Sequence, residues 1–452
     1  MQKSGREGAG VGAGRAGVGA EASQCPTLDG AKLANGFLLA GVFRLAWIVA
    51  DGGVARVNWR DMGAEELGSV YESLLELVPR VDLEARRFTF ATGDEAKGNA
   101  RKTTGSYYTP DSLVQVLLDS ALEPVVKDAL AAHPADPVAA LLELSVVDPA
   151  CGSGHFLLAA ARRLAGHVAR LSANGTPSAA EYRHALRLVV GRCIYGVDLN
   201  PMAIELCRVG LWMEAVEPGL ALSFLDSHIQ CGNALLGATP ELLAKGVPDA
   251  AWEPIEGDDK RVTSALKRRN KTEASGRQMV LDTLWAKSAA NDAAAVVEAV
   301  DALERCPDAQ LSEVQQKALQ WDEIRASAAY RHQRFVADLW CSAFVWPKLP
   351  GELANDAPTH AQWQQVQERR GAVTALVEKT ARDLAEEYQF FHWHLAFPKV
   401  HGKPSGKYVI AVGRGRSHLR ERAGLTRRRC CSPRRPSQRP PAGPASRPTP
   451  TA

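Results

Sequence analysis

The sequence predicts an α/β protein in which a parallel sheet is accompanied by a large helical insertion and a helical N-terminal segment. Short apolar runs, such as residues 144–147 and 193–197, each lead into a polar residue and then into an amphipathic helix. This alternation is typical of parallel sheets with helices on their faces. Residues 260–340 differ, because they are rich in Ala, Glu, Lys, Arg and Gln at helical spacing and contain few strand signals.

The elements follow in order along the chain. Residues 64–78 place apolar side chains at helical spacing, and a second helix is expected from Asp111 to about residue 127, capped by Thr109 or Asp111. The first strand, 144–147, precedes a helix over 155–171. The second strand, 193–197, precedes a helix that ends near residue 216, with Asn200 as its N-cap and Pro201 at its first position. A third strand region spans 222–225 and 229–236, a helical stretch covers 361–391, and 408–412 is one more buried strand.

These elements suggest six regions. Residues 1–31 are low-complexity Gly/Ala sequence that cannot build a core, and residues 414–452 form an Arg/Pro-rich tail, so disorder is expected at both. The regions between are a helical N-terminal segment (32–104), a ligand-binding half-domain (105–240), a helical insertion (241–400) and a further strand of the sheet (401–413).

The composition points to a soluble globular chain with two or three domains and no evident nucleic-acid signature. Of the 452 residues, 46% are hydrophobic, yet no run approaches the roughly eighteen apolar residues of a membrane span. No membrane association and a cytoplasmic location are therefore expected. The formal charge of +3 is misleading, because residues 1–413 carry 43 Lys and Arg against 50 Asp and Glu, a balance of −7. Overall charge therefore does not predict a nucleic-acid partner.

The nine cysteines and the HxH pair at His392 and His394 give no metal signature. No CxxC pair is present, and no cluster of partners accompanies the two histidines. Reduced thiols and packing histidines are expected, and no metal site is predicted.

The most informative segment is VDPACGSGHF at residues 147–156. It joins a strand to a helix through a loop in which Gly152 and Gly154 let backbone approach a ligand, at a helix N-terminus that favours a negative group. NAD is the main alternative ligand, but its G-x-G-x-x-G pattern would need a glycine at position 157, which is Leu157. A plain strand-to-helix turn is the other alternative.

Two further polar residues follow the next strands. Asp198 ends the second strand, where an acid can accept the hydroxyls of a ribose, although it can also serve only as a helix-start residue. Asn233 follows the third strand; its amide can satisfy a donor and an acceptor on one ligand edge, or it can simply form a turn.

In their order along the chain, GSYYTP (105–110), DPACGSGHF (148–156), YGVDLNP (195–201) and CGNALLG (231–237) resemble the cofactor-binding half of a DNA adenine-N6 methyltransferase, and in particular the Eco57I-type restriction-modification enzymes. The resemblance spans about residues 65–413 and includes FHWHLAFPKV at 391–400. It implies a Rossmann-like S-adenosylmethionine-dependent sheet of which this chain has only the first strands. The implied substrate is double-stranded DNA, methylated within a restriction-modification or related phage-defence system. An RNA or protein methyltransferase and a non-catalytic nucleic-acid-binding protein are the alternatives.

The resemblance also implies roles for single residues. Asp148 would meet the ammonium of the methionine moiety, Asp198 the ribose, and Asn233 the adenine of S-adenosylmethionine. The implied cofactor-binding set is Tyr107, Tyr108, Thr109, Pro110, Asp148, Ala150, Gly152, Gly154, Phe156, Asp198, Leu199 and Asn233.

The catalytic tetrapeptide of such enzymes, Asn or Asp followed by Pro-Pro and an aromatic residue, is absent from the sequence, so no catalytic residue is assigned. The strand 408–412 is where it is expected, but the residue after Gly413 is Arg414, and the composition then changes to Arg, Pro, Ser, Ala and Gly. We hypothesise a frameshift near codon 414, with the DNA-recognition region or a nuclease module missing beyond it. Sequencing the locus tests this idea. For the polypeptide as written, we expect weak cofactor binding at best and no methyl transfer.

Overall fold

The computed structural model describes residues 35–50, 53–58, 68, 79–82, 87–90, 110–173, 175–275, 282–369, 371–401 and 408–410. The low-complexity residues 1–31, nearly all of the helix predicted at 64–78, the GSYYT part of the first motif, and Arg414 with the tail lie outside these residues. Among the described helices, none is long and apolar enough to cross a membrane.

The sequence had predicted a helical N-terminal segment, but the described residues of this segment also form strands. Helix α1 (Asn35–Ala46) is followed by two antiparallel strand pairs, β1 (Trp47–Ala50) with β2 (Gly53–Arg56), and β3 (Pro79–Asp82) with β4 (Arg87–Phe90). The prediction was wrong because it overlooked turn chemistry. Asp51-Gly52, which separates β1 from β2, is a typical hairpin dipeptide, and the flanking WIVA run is β-branched and aromatic.

A group of helices precedes and surrounds the first strands of the central sheet. Helix α2 (Asp111–Leu117) continues through a π-helical turn (Leu118–Leu122) into α3 (Glu123–Ala132), so the helix runs further than predicted. Pro110 occupies its N-cap position and no side chain of the described residues caps it, which corrects the Asp111 alternative; Thr109 is not described. The remaining elements of this part are α4 (Pro137–Leu142), β5 (Ser145–Asp148), α5 (His155–Ser172), α6 (Ala179–Cys193), β6 (Ile194–Asp198), α7 (Pro201–Glu214) and β7 (Ile229–Cys231).

The predicted cap of α7 is confirmed. Asn200 precedes Pro201, and its side chain accepts the Met202 N–H at 3.0 Å. The third strand was predicted too long. Residues 222–225 are not a strand, because Phe224 is buried against Val300, Leu303 and Trp321 instead of pairing with β6.

The described residues of the predicted helical insertion are mostly helical. The insertion contains a 3₁₀ turn (Asp249–Trp252) and a series of helices, but the predicted continuous stretch over 361–391 is two helices separated by Arg369, which has a φ of 56°, and by a new cap at Thr374. The helices are α8 (Pro240–Leu243), α9 (Lys260–Ser275), α10 (Asp282–Arg305), α11 (Leu311–Ala326), α12 (Ala328–Val345), α13 (Glu352–Asn355), α14 (His360–Gln367), α15 (Ala375–Glu387), α16 (Trp393–Ala396) and α17 (Pro398–His401).

Within the described residues, β8 (Tyr408–Ile410) completes a four-stranded parallel sheet in the order β7-β6-β5-β8. The mixed α/β class is thereby confirmed, and the strand predicted at 408–412 is present over 408–410, the part of it that the structure describes. The chain places β6 and β7 on one side of β5 and then returns to place β8 on the other side. Such a reversal of strand order creates a crevice at the carboxyl ends of the strands, where ligands bind in open α/β sheets.

Different residues of the same strands serve the two faces of the sheet. Val146 and Ile194 belong to the core formed with α5 and α6. Their neighbours Val147 and Tyr195 face the opposite way and pack with the 391–400 segment, including Phe397. The FHWHLAFPKV segment therefore covers the second face of the sheet.

Candidate functional site

The glycine loop follows β5 and is tied by backbone hydrogen bonds to the neighbouring strand. Cys151 N–H donates to the Val197 carbonyl at 2.9 Å, and Gly154 N–H donates to the Cys151 carbonyl at 2.8 Å. The loop therefore keeps a fixed shape at the carboxyl edge of the sheet and delivers the chain directly to the start of α5.

Both motif glycines have positive φ angles, 53° at Gly152 and 90° at Gly154. Side chains other than glycine rarely adopt this conformation. A Cβ at Gly154 would also lie 2.7 Å from the Cys207 Sγ atom, whereas a Cβ at Gly152 would meet nothing within 4 Å. Gly154 is thus required for packing against α7, and Gly152 leaves open space beside the loop backbone.

Asp148 is the last residue of β5 and is almost completely buried, with 2% of its surface exposed. One carboxylate oxygen accepts the Ala150 N–H at 3.0 Å. Burial, together with a smaller effect of the nearby Asp198 carboxylate, raises the pKa of this carboxyl group to about 7 against the lowering effect of the Ala150 N–H. A cation placed beside Asp148 would oppose both unfavourable effects.

Asp198 ends β6 and holds the adjoining loops. Its Oδ2 accepts the Gly152 N–H at 2.9 Å and its Oδ1 accepts the Asn200 N–H at 2.8 Å. Burial raises the pKa of Asp198, partly offset by these backbone N–H groups. A carboxylate has about four lone-pair positions, so these two bonds do not exhaust its capacity to accept hydroxyl groups.

Asn233 follows β7 in the same region of the sheet edge. Its Oδ1 accepts the Leu235 N–H at 3.1 Å, an Asx turn, and its backbone N–H donates to the Gln389 carbonyl at 2.7 Å. The turn-forming role considered in the sequence is therefore present, and it uses the side-chain oxygen in this conformation. Gly232 N–H donates to the Asp198 carbonyl at 2.9 Å, which links the Asn233 loop to the end of β6.

The remaining predicted residues differ in position. Phe156 is buried in the core beneath the loop, while Ala150 and Leu199 are exposed. Pro110 is exposed at the start of α2, and Tyr107, Tyr108 and Thr109 lie outside the described residues.

Sequence reasoning missed the contribution of two residues that lie far along the chain. His392 accepts the Ala238 N–H through Nδ1 at 3.1 Å, and the Trp393 indole N–H donates to the Ala234 carbonyl at 3.0 Å. Both bonds reach the loop that carries Asn233. The dense aromatic and histidine content of FHWHLAFP was the available signal, but spacing alone does not reveal which loop it contacts.

Across the described part of the chain, no group of three or more His, Cys, Asp or Glu side chains is arranged to hold a metal ion. His392 and His394 accordingly do not form part of such a cluster there.

Comparison with known proteins finds a family that part of this chain resembles. Residues 93–236 match the family described as N-6 DNA Methylase. This part of the chain is therefore similar to N-6 DNA methylases. The matched range includes β5, β6 and β7 together with Asp148, Asp198 and Asn233.

Two curated relatives match parts of the chain. A Methanocaldococcus jannaschii protein, named a putative type II restriction enzyme and methyltransferase, is 25% identical over 222 residues, covering 40% of this chain and 17% of that protein. A Streptomyces coelicolor protein, the adenine-specific methyltransferase PglX, is 32% identical over 117 residues, covering 26% of this chain and 8% of that protein. The chain thus spans under a fifth of either relative. No solved structure matches.

Proposed function

We propose that the methylase domain binds S-adenosylmethionine and belongs to a DNA adenine-N6 methyltransferase of a restriction-modification system. The observation that carries this proposal is the convergence of Asp148, Gly152, Asp198 and Asn233 at the carboxyl edge of β5, β6 and β7. The family match and the names of the two relatives support the reaction and the DNA substrate.

The residues present fit this cofactor. The Ala150 N–H only partly offsets the cost of burying ionised Asp148, which suits an ammonium group, and Asp198 retains acceptor capacity for ribose hydroxyls. The open space at Gly152 lets a ligand approach the loop backbone. The strand order, with its reversal between β5 and β8, supports a Rossmann-like arrangement around the site.

When bound, S-adenosylmethionine supplies an electrophilic methyl group. The chain's own residues would bind and orient it: Asp148 would neutralise its ammonium, Asp198 would hold its ribose, and Asn233 would contact its adenine. Because Asp198 also holds the Gly152 and Asn200 N–H groups, the ribose contact and the glycine-loop conformation depend on one side chain.

DNA is the proposed partner, and helix α9 offers a surface for its phosphates. One face of α9 is buried and carries Thr263, Leu266 and Asn270. The other face exposes a row of cationic side chains, which we call the α9 basic face: Lys260, Arg261, Lys267, Arg268 and Lys271. Asn270 anchors the helix by donating to the Val247 carbonyl at 3.1 Å, so the basic side chains project from a fixed support. Such clusters bind the DNA backbone without reading its sequence.

Binding is the decisive measurement, because the 452 residues contain no Asn/Asp-Pro-Pro-aromatic tetrapeptide. Titration calorimetry with S-adenosylmethionine should show saturable binding, and Asp198→Ala should abolish it. Unchanged affinity in this variant would contradict the ribose role. Asp226→Ala, at a half-exposed carboxylate that pairs with the mostly buried Arg208, is the matched control and should leave the affinity unchanged. Titration with NAD tests the alternative ligand, and tighter binding of NAD would overturn the proposal.

A further inference from the structure

The loop that carries Asn233 is held by a distant part of the chain. We call residues 232–238 the Asn233 loop and residues 389–393 the clamp. The two run side by side: Asn233 N–H donates to the Gln389 carbonyl at 2.7 Å, Phe391 N–H donates to the Leu236 carbonyl at 2.8 Å, and Asn233 forms a parallel bridge with Phe390. The clamp therefore holds the loop by backbone hydrogen bonds.

Two side chains of the clamp form further hydrogen bonds with the loop. Trp393 donates its indole N–H to the Ala234 carbonyl at 3.0 Å, and the ring packs edge-on against Phe391 at 5.1 Å. His392 is buried and accepts the Ala238 N–H through Nδ1 at 3.1 Å. Together with the backbone bonds, these contacts hold the loop from Asn233 to Ala238.

His392 also ties the loop to the helical insertion. Because Nδ1 accepts a hydrogen bond, the proton of the neutral ring lies on Nε2, which faces the Asp338 carboxylate at 2.9 Å. Asp338 lies on α12 and is itself buried. One imidazole thus connects a loop of the methylase domain to a helix of the insertion.

The loop glycines show how closely the two segments fit. A Cβ at Gly237 would lie 1.9 Å from the Phe391 carbonyl oxygen, and a Cβ at Gly232 would lie 2.6 Å from the Phe391 ring. Glycine at these two positions therefore lets the loop pack against the clamp.

We propose that the clamp, and His392 and Trp393 in particular, are positioning elements that hold Asn233 for the adenine of S-adenosylmethionine, so that the helical insertion sets cofactor affinity. This inference rests on the proposed function. His392 and Trp393 act through the loop and not by touching the cofactor. Loss of one loop contact allows the loop to sample other conformations, and each such conformation lowers the fraction of protein that is competent to bind.

The first test compares two tryptophan substitutions in the full chain. Trp393→Phe removes the bond to Ala234 and keeps an aromatic ring. Trp363→Phe is the matched control, because its indole N–H donates to the Val336 carbonyl at 3.0 Å within the insertion, away from the loop. Calorimetry should show a Kd for S-adenosylmethionine about fivefold higher for Trp393→Phe, as expected for loss of one hydrogen bond, and less than twofold higher for Trp363→Phe. Equal effects of the two substitutions would overturn the proposal.

The second test separates the two hydrogen bonds of His392. His392→Asn keeps an acceptor near the Nδ1 position for the Ala238 N–H, whereas His392→Gln keeps a donor near the Nε2 position for Asp338. If the loop contact controls affinity, the Asn variant should bind S-adenosylmethionine more tightly than the Gln variant. Hydrogen exchange at residues 234–238 should be faster in the Gln variant. A larger loss in the Asn variant would show that only the anchor to α12 matters and would overturn the positioning role.

The experiments distinguish failure of the proposed function from failure of this inference alone. If the unsubstituted protein fails to bind S-adenosylmethionine, the proposed function fails and the inference fails with it. If the unsubstituted protein binds and the Trp393 and His392 variants bind equally well, only the inference fails. Melting temperatures of all variants identify any that do not fold.

Discussion

Asp148 combines deep burial with a pKa raised to about 7, so its protonation state changes close to neutral pH. The ordinary value for the group is 3.8, and the folded protein therefore holds this proton more tightly than the unfolded chain does. The contribution of the group to the free energy of unfolding is full below pH 3.8 and is lost as the pH rises to about 7. Asp148→Asn removes this dependence. Urea unfolding measures the decrease in the free energy of unfolding between pH 5 and pH 8. This decrease should be smaller in the variant than in the unsubstituted protein by about 1–3 kcal/mol.

The same residue predicts the pH profile of ligand binding. A cofactor ammonium is attracted by the carboxylate and not by the neutral acid, so affinity for S-adenosylmethionine should rise as the pH increases through about 7. Above roughly pH 8 the α-amino group itself loses its proton and affinity should fall again. Calorimetry across pH 5.5–9 measures this profile. A rising limb that persists unchanged in Asp148→Asn would contradict the assignment of the limb to Asp148.

At the level of elements, the turn into α5 depends on the left-handed conformation of Gly154. Gly154→Ala places a Cβ against Cys207 at a φ of 90°, and we expect a loss of about 2–4 kcal/mol in the free energy of unfolding. Gly166→Ala is the control, since it lies within α5 with nothing within 4 Å of its added Cβ and should be neutral or stabilising by about 0.5–1 kcal/mol. Denaturant unfolding measures both. Equal stability of the two variants would show that the loop accommodates a side chain.

The α9 basic face predicts a salt-dependent effect on DNA binding. Combined Arg268→Glu and Lys271→Glu substitutions should weaken binding to mixed-sequence duplex DNA at least tenfold and reduce the dependence of affinity on salt, because phosphate contacts release counterions. Lys379→Glu, which reverses one exposed charge on α15, should have little effect. Fluorescence anisotropy at several salt concentrations makes the comparison. Equal salt slopes for the double variant and the unsubstituted protein would remove α9 from the DNA-binding surface.

The elements also show what a single sequence can and cannot predict. The strands β5 and β6, the helices after them and the Asn200 cap follow from local patterns, namely apolar runs, glycine spacing and capping chemistry. The extent of the third strand did not follow, because burial of Phe224 by α10 and α11 satisfies an apolar run as well as a sheet does. The hydrogen bonds of His392 and Trp393 could not be predicted for a similar reason. They join residues about 154 and 159 positions apart, and only the fold brings those positions together.

At the scale of the whole molecule, the sheet is covered on one face by α5 and α6 and on the other by the 391–400 segment. Tyr195 illustrates the second contact: its ring stacks on His228 at 4.2 Å and meets Phe397 edge-on at 5.3 Å, while its hydroxyl donates to Glu304 of α10 at 3.3 Å. Lys399 pairs with the same Glu304 at 2.7 Å. The middle of a sheet strand, the insertion and the covering segment thus share one packed region, which favours unfolding of sheet and insertion together.

This coupling leads to a prediction for ligand-induced stabilisation. A ligand present at 100 times its Kd stabilises the folded state by about 2.7 kcal/mol, which should raise the melting temperature by a few degrees. Melting can be followed by circular dichroism and by the fluorescence of the buried insertion tryptophans, among them Trp252, Trp346 and Trp363. If the sheet and the insertion unfold together, S-adenosylmethionine should shift both melting curves by the same amount. Asp198→Ala should eliminate both shifts. A shift seen by circular dichroism but not by fluorescence would mean that the insertion melts separately, and the clamp would then be too weak to transmit cofactor binding between the two parts.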